Sequence, residues 1–227
     1  MFTPTIILGM ADVKSGRRER AHRTRVRIIR AAETEFLDKG YHGATMAAIA
    51  GRAGVAPQTV YFVFHTKAAL MSAVIDLGVM GDDESPVLPE ETSWWARMEA
   101  AGTAAETLAT FVRGVGPLLA RAAPVSEVLR AAAMTDAEVR ALWETHDRRQ
   151  VEGYRRVVDI AASKGQLRSS LDHGTATDVL ITLVGDATYV ALIEERGWEH
   201  DQVIEWLADV VPSVLLETPV SRAARRS

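Results

Sequence analysis

The chain has 227 residues, no cysteine, a formal net charge of −4, 48% hydrophobic and 25% charged residues. This is the composition of a soluble globular protein of one or two domains. The missing cysteines exclude a disulfide scaffold, a thiolate metal site and a cysteine nucleophile. No apolar stretch reaches the roughly 18–20 uninterrupted residues expected of a membrane span. The short Ile6-Ile7-Leu8 run lacks the basic flank and the length of a secretory signal. A cytoplasmic location is expected, and either Met1 or Met10 can be the start.

Charge is unevenly distributed. Residues 1–70 hold 11 basic and 5 acidic side chains and carry +6, while residues 71–227 carry −10. The basic density peaks between Lys14 and Arg30, with Arg17, Arg18, Arg20, Arg23, Arg25, Arg27 and Arg30. Such a segment is either a solvated arm or the contact for an anionic partner, nucleic acid above all.

Helical signals follow one another along the chain. The predicted organisation is a flexible basic arm over 1–23, a first helical unit over 24–70, a second helical unit over 71–217 and a disordered basic tail over 218–227. The first helix is expected from about Thr24 to Lys39, with Ile28, Ile29, Ala32 and Phe36 on its core face and Gly40 as its stop. Thr45 caps a short helix over 46–53. Gly54 ends that helix, and Pro57 opens another, to about Val63. Thr66 caps the next, to about Met80. An acidic, proline-containing loop from Gly81 to Glu91 suggests a domain boundary.

Beyond it, Trp94 and Trp95 lie on a short helical piece. Capping-box patterns at Thr103–Glu106 and Thr135–Glu138 start two longer helices. Pro117 and Pro124, with Gly114 and Gly116 nearby, predict a kink or a break in the first of them. The second should run to about Lys164. Asp172 caps a helix to about Arg196, and a last helix spans about His200 to Leu216. The fold class is thus all-α, with about nine helices.

The two short helices around Gly54-Val55-Ala56 have helix-turn-helix spacing. Pro57, Gln58 and Thr59 occupy the reading end of the second one. Gln58 suits adenine in the major groove, and Thr59 a phosphate or base edge. Tyr61 can place its hydroxyl on phosphate, Phe62 can meet sugar or a thymine methyl, and Lys67 suits a phosphate. The alternative is a plain three-helix fragment with Tyr61, Phe62 and Phe64 all in its core.

The segment Ile28-Ile29-x-Ala31-Ala32-x-x-x-Phe36-x-x-x-Gly40-Tyr41, then Thr45-x-x-x-Ile49-Ala50-x-x-Ala53-Gly54-Val55, then Thr59-Val60-Tyr61-x-x-Phe64-x-x-Lys67-x-Ala69-Leu70, resembles the DNA-binding domain of TetR-type transcriptional regulators. The resemblance covers about a fifth of the chain. It implies a homodimer, in this family most often a repressor, that binds a palindromic operator in double-stranded DNA and is released by a small molecule. It also implies DNA contacts from Thr45, Ala47, Pro57, Gln58, Thr59, Tyr61, Phe62 and Lys67. The chain departs from the family at Ala56, where a capping Ser is common, and at Val63 and His65.

The later helices carry no diagnostic motif. Leu180, Leu183, Ala187, Val190 and Ala191 on one helix, with Val203, Leu207, Val210 and Val214 on the last, suggest a two-fold four-helix interface or an intramolecular core. Trp94, Trp95, Met98, Phe111, Met134, Trp143, His146, Gln150 and Tyr154 are candidates to line a site for a largely apolar effector, or are ordinary core. Pro117 with its neighbouring glycines either opens a cavity there or marks a helix end. No phosphate-binding loop, nucleophile elbow or dinucleotide fingerprint occurs. The only Glu-x-x-His pair, Glu19 and His22, lies in the basic segment. Neither an enzyme activity nor a cofactor or metal is expected.

Overall fold

The computed structural model describes residues 7–81 and 87–217, with side chains from Gly16 onward. It divides into two compact units, Met1–Pro86 and Val87–Ser227. The predicted tail over 218–227 lies outside the described residues. Ten α-helices are present among those described, with no strand beyond an isolated bridge between Leu167 and Leu216.

The N-terminal unit contains α1 (Ile7–Gly43), α2 (Met46–Ala53), α3 (Pro57–Phe64) and α4 (Lys67–Met80). Helix α1 is much longer than its apolar face requires. The expected flexible arm is helical from residue 7 onward, so its arginines are carried on a helix instead of a loose strand of chain. The backbone leaves helical geometry at Gly40 (φ 68°), where the sequence places the stop, and one further turn follows. Ile28, Ile29, Ala32 and Phe36 of α1 are buried, as are Ile49, Val60, Phe64 and Leu70 from the next three helices. Helix α4 belongs to this unit, so the boundary lies after residue 80, in the acidic loop, and not at residue 70.

The C-terminal unit comprises α5 (Ser93–Ala100), α6 (Ala104–Ala133), α7 (Ala137–Ala162), α8 (His173–Val184), α9 (Asp186–Val190) and α10 (His200–Leu215). Thr103 and Glu106 form the expected capping box at the head of α6. At α7 the cap is Asp136, one residue beyond the expected Thr135, and its carboxylate accepts from the Glu138 and Val139 amides.

Helix α6 runs through Pro117 and Pro124 unbroken, contrary to the predicted break. A proline in a helix interior costs about 3 kcal/mol. Helix α6 packs against α5, α7, α9 and α10, and that burial exceeds the cost. The neighbouring glycines have a packing role. A Cβ on Gly114 would run into the Trp94 indole, and one on Gly116 would meet Ile204 at 2.9 Å. They make close-approach slots.

The expected helix from 172 to 196 is broken. Gly185 has extended backbone (φ −82°, ψ 168°) and separates α8 from α9, and a π-helical turn over Ala191–Glu195 follows. By length and composition alone His173–Glu195 could cross a membrane, which its sequence pattern did not suggest. It is interrupted, however, and its Leu180, Val184 and Tyr189 lie in the core.

Candidate functional site

Helices α2 and α3 meet at a tight turn. Gly54 takes left-handed backbone (φ 65°, ψ 40°), which a residue bearing a Cβ adopts only with strain. The Val55 amide then reaches the Ala50 carbonyl at 3.0 Å. Thr45 caps α2 by accepting from the Ala48 amide at 3.1 Å. Ala56 makes no side-chain cap, and Pro57 opens α3 with its fixed φ.

The inner face of α3 is Val60 and Phe64, both buried. The outer face presents Pro57, Gln58, Tyr61 and Phe62 to solvent, with Thr59 at its edge. Tyr61 is 52% exposed and Phe62 82%, so neither is core, and the plain three-helix alternative fails for both. Exposed Thr45 and Ala47 lie at the start of α2. Large apolar side chains left in water on a short helix need a partner surface.

Two of the expected DNA-contacting residues also make contacts within the fold. The Lys67 ammonium donates to the Tyr41 and Ala44 carbonyls at 2.7 and 3.1 Å and lies 4.4 Å over the Tyr41 ring. It fastens the α1–α2 turn to the start of α4. Arg25 is half-buried, with its guanidinium 4.7 Å over the Phe64 ring. It braces α3 against α1. Arg17, Arg18, Arg20 and Arg23 remain exposed on α1, Arg23 beside Glu19 at 3.6 Å.

A network that the sequence pattern does not reveal anchors α2. Glu35 is buried on α1 and accepts from Lys39 at 2.8 Å and from Arg52 at 2.9 and 3.0 Å. Arg52 also reaches Asp38 at 3.0 Å. The Lys39 and Arg52 hydrogen bonds hold the Glu35 carboxyl below its usual range. A lowered carboxyl pKa stabilises the folded state above the unfolded pKa, and that contribution is lost as pH falls through the folded value. Glu35→Ala is therefore expected to lower the melting temperature by a few degrees at pH 7. The difference from wild type should shrink as pH is lowered below about 4, which melts followed across pH will check. The Glu35–Lys39 spacing is legible on a helix, but the reach of Arg52 from α2 is not.

In the C-terminal unit, several aromatic candidates do come together. Trp94 meets Trp95 and Phe111 at ring distances of 5.8 and 6.4 Å, and Phe111 stands edge-on to Tyr154 at 5.1 Å. Trp95, Met98, Phe111 and Tyr154 are buried. Trp143 and Gln150 are half-buried, and Trp143 neighbours His146 at 5.8 Å. Met134 does not join them. It follows the end of α6 and is 72% exposed, because the helix stops before that position can turn inward.

The Tyr154 hydroxyl donates to the Val184 carbonyl at 2.9 Å, and burial pushes its phenol well above the usual range. His146 is near Ser126 and Asp186, two polar residues absent from the sequence-derived candidates. A charged residue inside the apolar stretch from Leu180 to Ala191 was the available signal for Asp186.

The interface candidates divide. Leu180, Val203 and Leu207 are completely buried in their own unit and cannot meet a second chain. Ala187 is exposed, and Leu183, Val190, Ala191, Val210 and Val214 are partly covered. The apolar rows of α8 and α10 thus serve different faces, which the sequence pattern alone did not assign.

A helix-turn-helix unit followed by a separate helical unit defines the class. Residues 28–74 match the family of bacterial regulatory proteins, tetR family. The regulator UidR of Escherichia coli K12 is 42% identical over 55 residues, 24% of this chain and 28% of that protein. The similarity therefore spans about a quarter of that relative's length. Whole-chain likeness comes from solved structures. FadR of Bacillus subtilis in complex with stearoyl-CoA superposes with a TM-score of 0.65 at 19% identity, covering 83% of this chain and 98% of that one. NalD, the secondary repressor of the MexAB-OprM efflux pump in Pseudomonas aeruginosa, gives 0.63 at 21% identity, covering 88% and 98%. Residues 28–74 thus match the DNA-binding domain of the tetR family, and the chain shares its helical fold with these solved structures.

Proposed function

We propose that this chain is a cytoplasmic homodimeric transcriptional regulator that represses from a palindromic operator and is released by a small molecule. The observation that carries the reading is α3, which leaves Gln58, Tyr61 and Phe62 in solvent on a buried Val60–Phe64 base. A helix so placed can enter a major groove and read base edges from its N-terminal end. The NalD likeness favours repression, and FadR is a protein of this fold that holds a small molecule.

The partly covered residues between Leu183 and Ala191, with those of α10, would join two chains. A two-fold dimer presents two recognition helices to half-sites about one turn of DNA apart, which is the reason for a palindrome. The aromatic group of α5, α6 and α7 would hold the effector. Shifting a DNA-ready population from 99:1 to 1:99 requires about 5.5 kcal/mol of ligand preference between the two states.

Fluorescence anisotropy against DNA from upstream of the chain's own gene, beside scrambled DNA, tests the reading. Specific binding well above the scrambled control is expected, and equal, steeply salt-sensitive binding to that DNA and to genome-selected fragments would refute it. The exposed arginines of α1 add a second expectation. Deleting residues 1–23 should make the slope of log K against log salt shallower by about 1–4, at about 0.9 for each phosphate no longer neutralised. An unchanged slope would remove this helix from the interface.

A further inference from the structure

The C-terminal core encloses a carboxylate that its packing compensates only weakly. Asp186 is only 7% exposed. It is the first residue of α9, immediately after the Gly185 break. A Cβ at Gly185 would collide with the Ile181 carbonyl oxygen, so the close approach that turns Asp186 inward is open to glycine alone. The interrupted helix leaves the Val184 carbonyl without a helical partner, and the buried Tyr154 hydroxyl supplies one. Break, phenol and carboxylate form one local construction.

Among the described residues, the only opposite charge beside Asp186 is His146, and that only when its ring is protonated. Its Nε2 lies 3.8 Å from Oδ2, beyond hydrogen-bond reach. The same nitrogen is 3.5 Å from the Oγ of fully buried Ser126. Enclosing a carboxylate with so little compensation is costly. The first-turn position recovers part of that cost, but α9 has just five residues and a correspondingly small dipole. The carboxylate's charge also adds to the upward shift of Tyr154, after burial itself.

Aromatic rings stand beside two of its neighbours, His146 and Tyr154. Trp143 neighbours His146, and Phe111 stands against Tyr154 with Trp94 behind it. A buried carboxylate whose counter-charge is one titratable ring at 3.8 Å, in an aromatic-rich core, suits an organic cation and repels an anion. The π-helical turn at Ala191–Glu195 follows directly, and such turns concentrate at functional positions.

We propose that Asp186 is the recognition residue for an effector that carries a positively charged amine or ammonium nitrogen on an apolar body. The inference rests on the reading of the C-terminal unit as the effector-binding unit, and it names the chemistry of that effector.

Calorimetry on the full chain at pH 7 tests it with three probes sharing one apolar body: 4-phenylbutylammonium, 4-phenylbutanol and 4-phenylbutyrate. The cation is expected to bind at least about tenfold tighter than the alcohol, with the anion weakest. Asp186→Asn should abolish that discrimination while keeping the alcohol's affinity. His146→Gln, which removes the competing ring charge, should keep the preference for the cation. Equal or reversed ranking in the wild type, no binding of any probe, or a preference that survives Asp186→Asn overturns the proposal. So does a preference that disappears in His146→Gln. If Asp186→Asn does not fold, the wild-type ranking decides.

Operator anisotropy with saturating cation separates the two readings. Selective binding that leaves DNA affinity unchanged sinks ligand release and keeps the Asp186 assignment. Release of DNA by the neutral probe as readily as by the cation does the reverse.

Discussion

Tyr61→Ala and Gln58→Ala are each expected to weaken specific operator binding by about 5- to 150-fold, the equivalent of about 1–3 kcal/mol. Neither should alter the melting temperature or the oligomeric state. Tyr61 is 52% exposed and Gln58 is exposed, so their truncation opens no hole in the core. The two variants should differ in kind. Losing a bidentate amide on a base relaxes specificity at one base pair, whereas losing a hydroxyl on phosphate weakens all sequences alike. Anisotropy against a set of single-base operator variants distinguishes them. Unchanged affinity in both variants would remove α3 from the role of reader.

Leu207→Glu should unfold the C-terminal unit, by more than about 4 kcal/mol, and should not yield a folded monomer. Leu207 is completely buried in a cluster with Val203, Val211 and Leu215. A carboxylate there would have neither water nor a partner. Val210→Glu sits one turn along α10 on a partly covered face, where the new charge can reach water in a single chain. That variant should keep its helical signal and melting behaviour yet sediment as a monomer. A Leu207→Glu protein that melts like wild type would overturn the inward placement of that row. A dimeric Val210→Glu protein would place the interface elsewhere.

The local features were legible because their causes lie within a few residues. Thr45, Thr66, Thr103 with Glu106, and Asp172 all cap the helices that their side-chain chemistry predicts. Gly54 and Pro57 set the turn and the start of α3 through backbone freedom and a fixed φ. Even the exposure of Tyr61 and Phe62 follows from the spacing of Val60 and Phe64, which can turn only one face inward on so short a helix.

Long-range pairings were not legible in the same way. Nothing local to Lys67 says that its ammonium will find the carbonyls of Tyr41 and Ala44. The same holds for Arg52, which reaches across to Glu35. Pro117 and Pro124 read as breakers, yet packing on several sides of α6 outweighs their local cost. Gly114 reads as part of a kink, yet its meaning is the indole of Trp94 lying against it.

The sequence by itself determined the class of this protein: helices in order, a turn with helix-turn-helix spacing, and a basic N-terminal third suited to an anionic partner. Helix propensity, capping and periodicity are short-range and survive being read one residue at a time. Only the tertiary structure decided which apolar row of α8 and α10 is core, which cations are already bound within the fold, and that Asp186 is buried beside His146. Each of those depends on which side chains meet across distant parts of the chain, and the free energy of burial belongs to the assembled neighbours, not to any one segment.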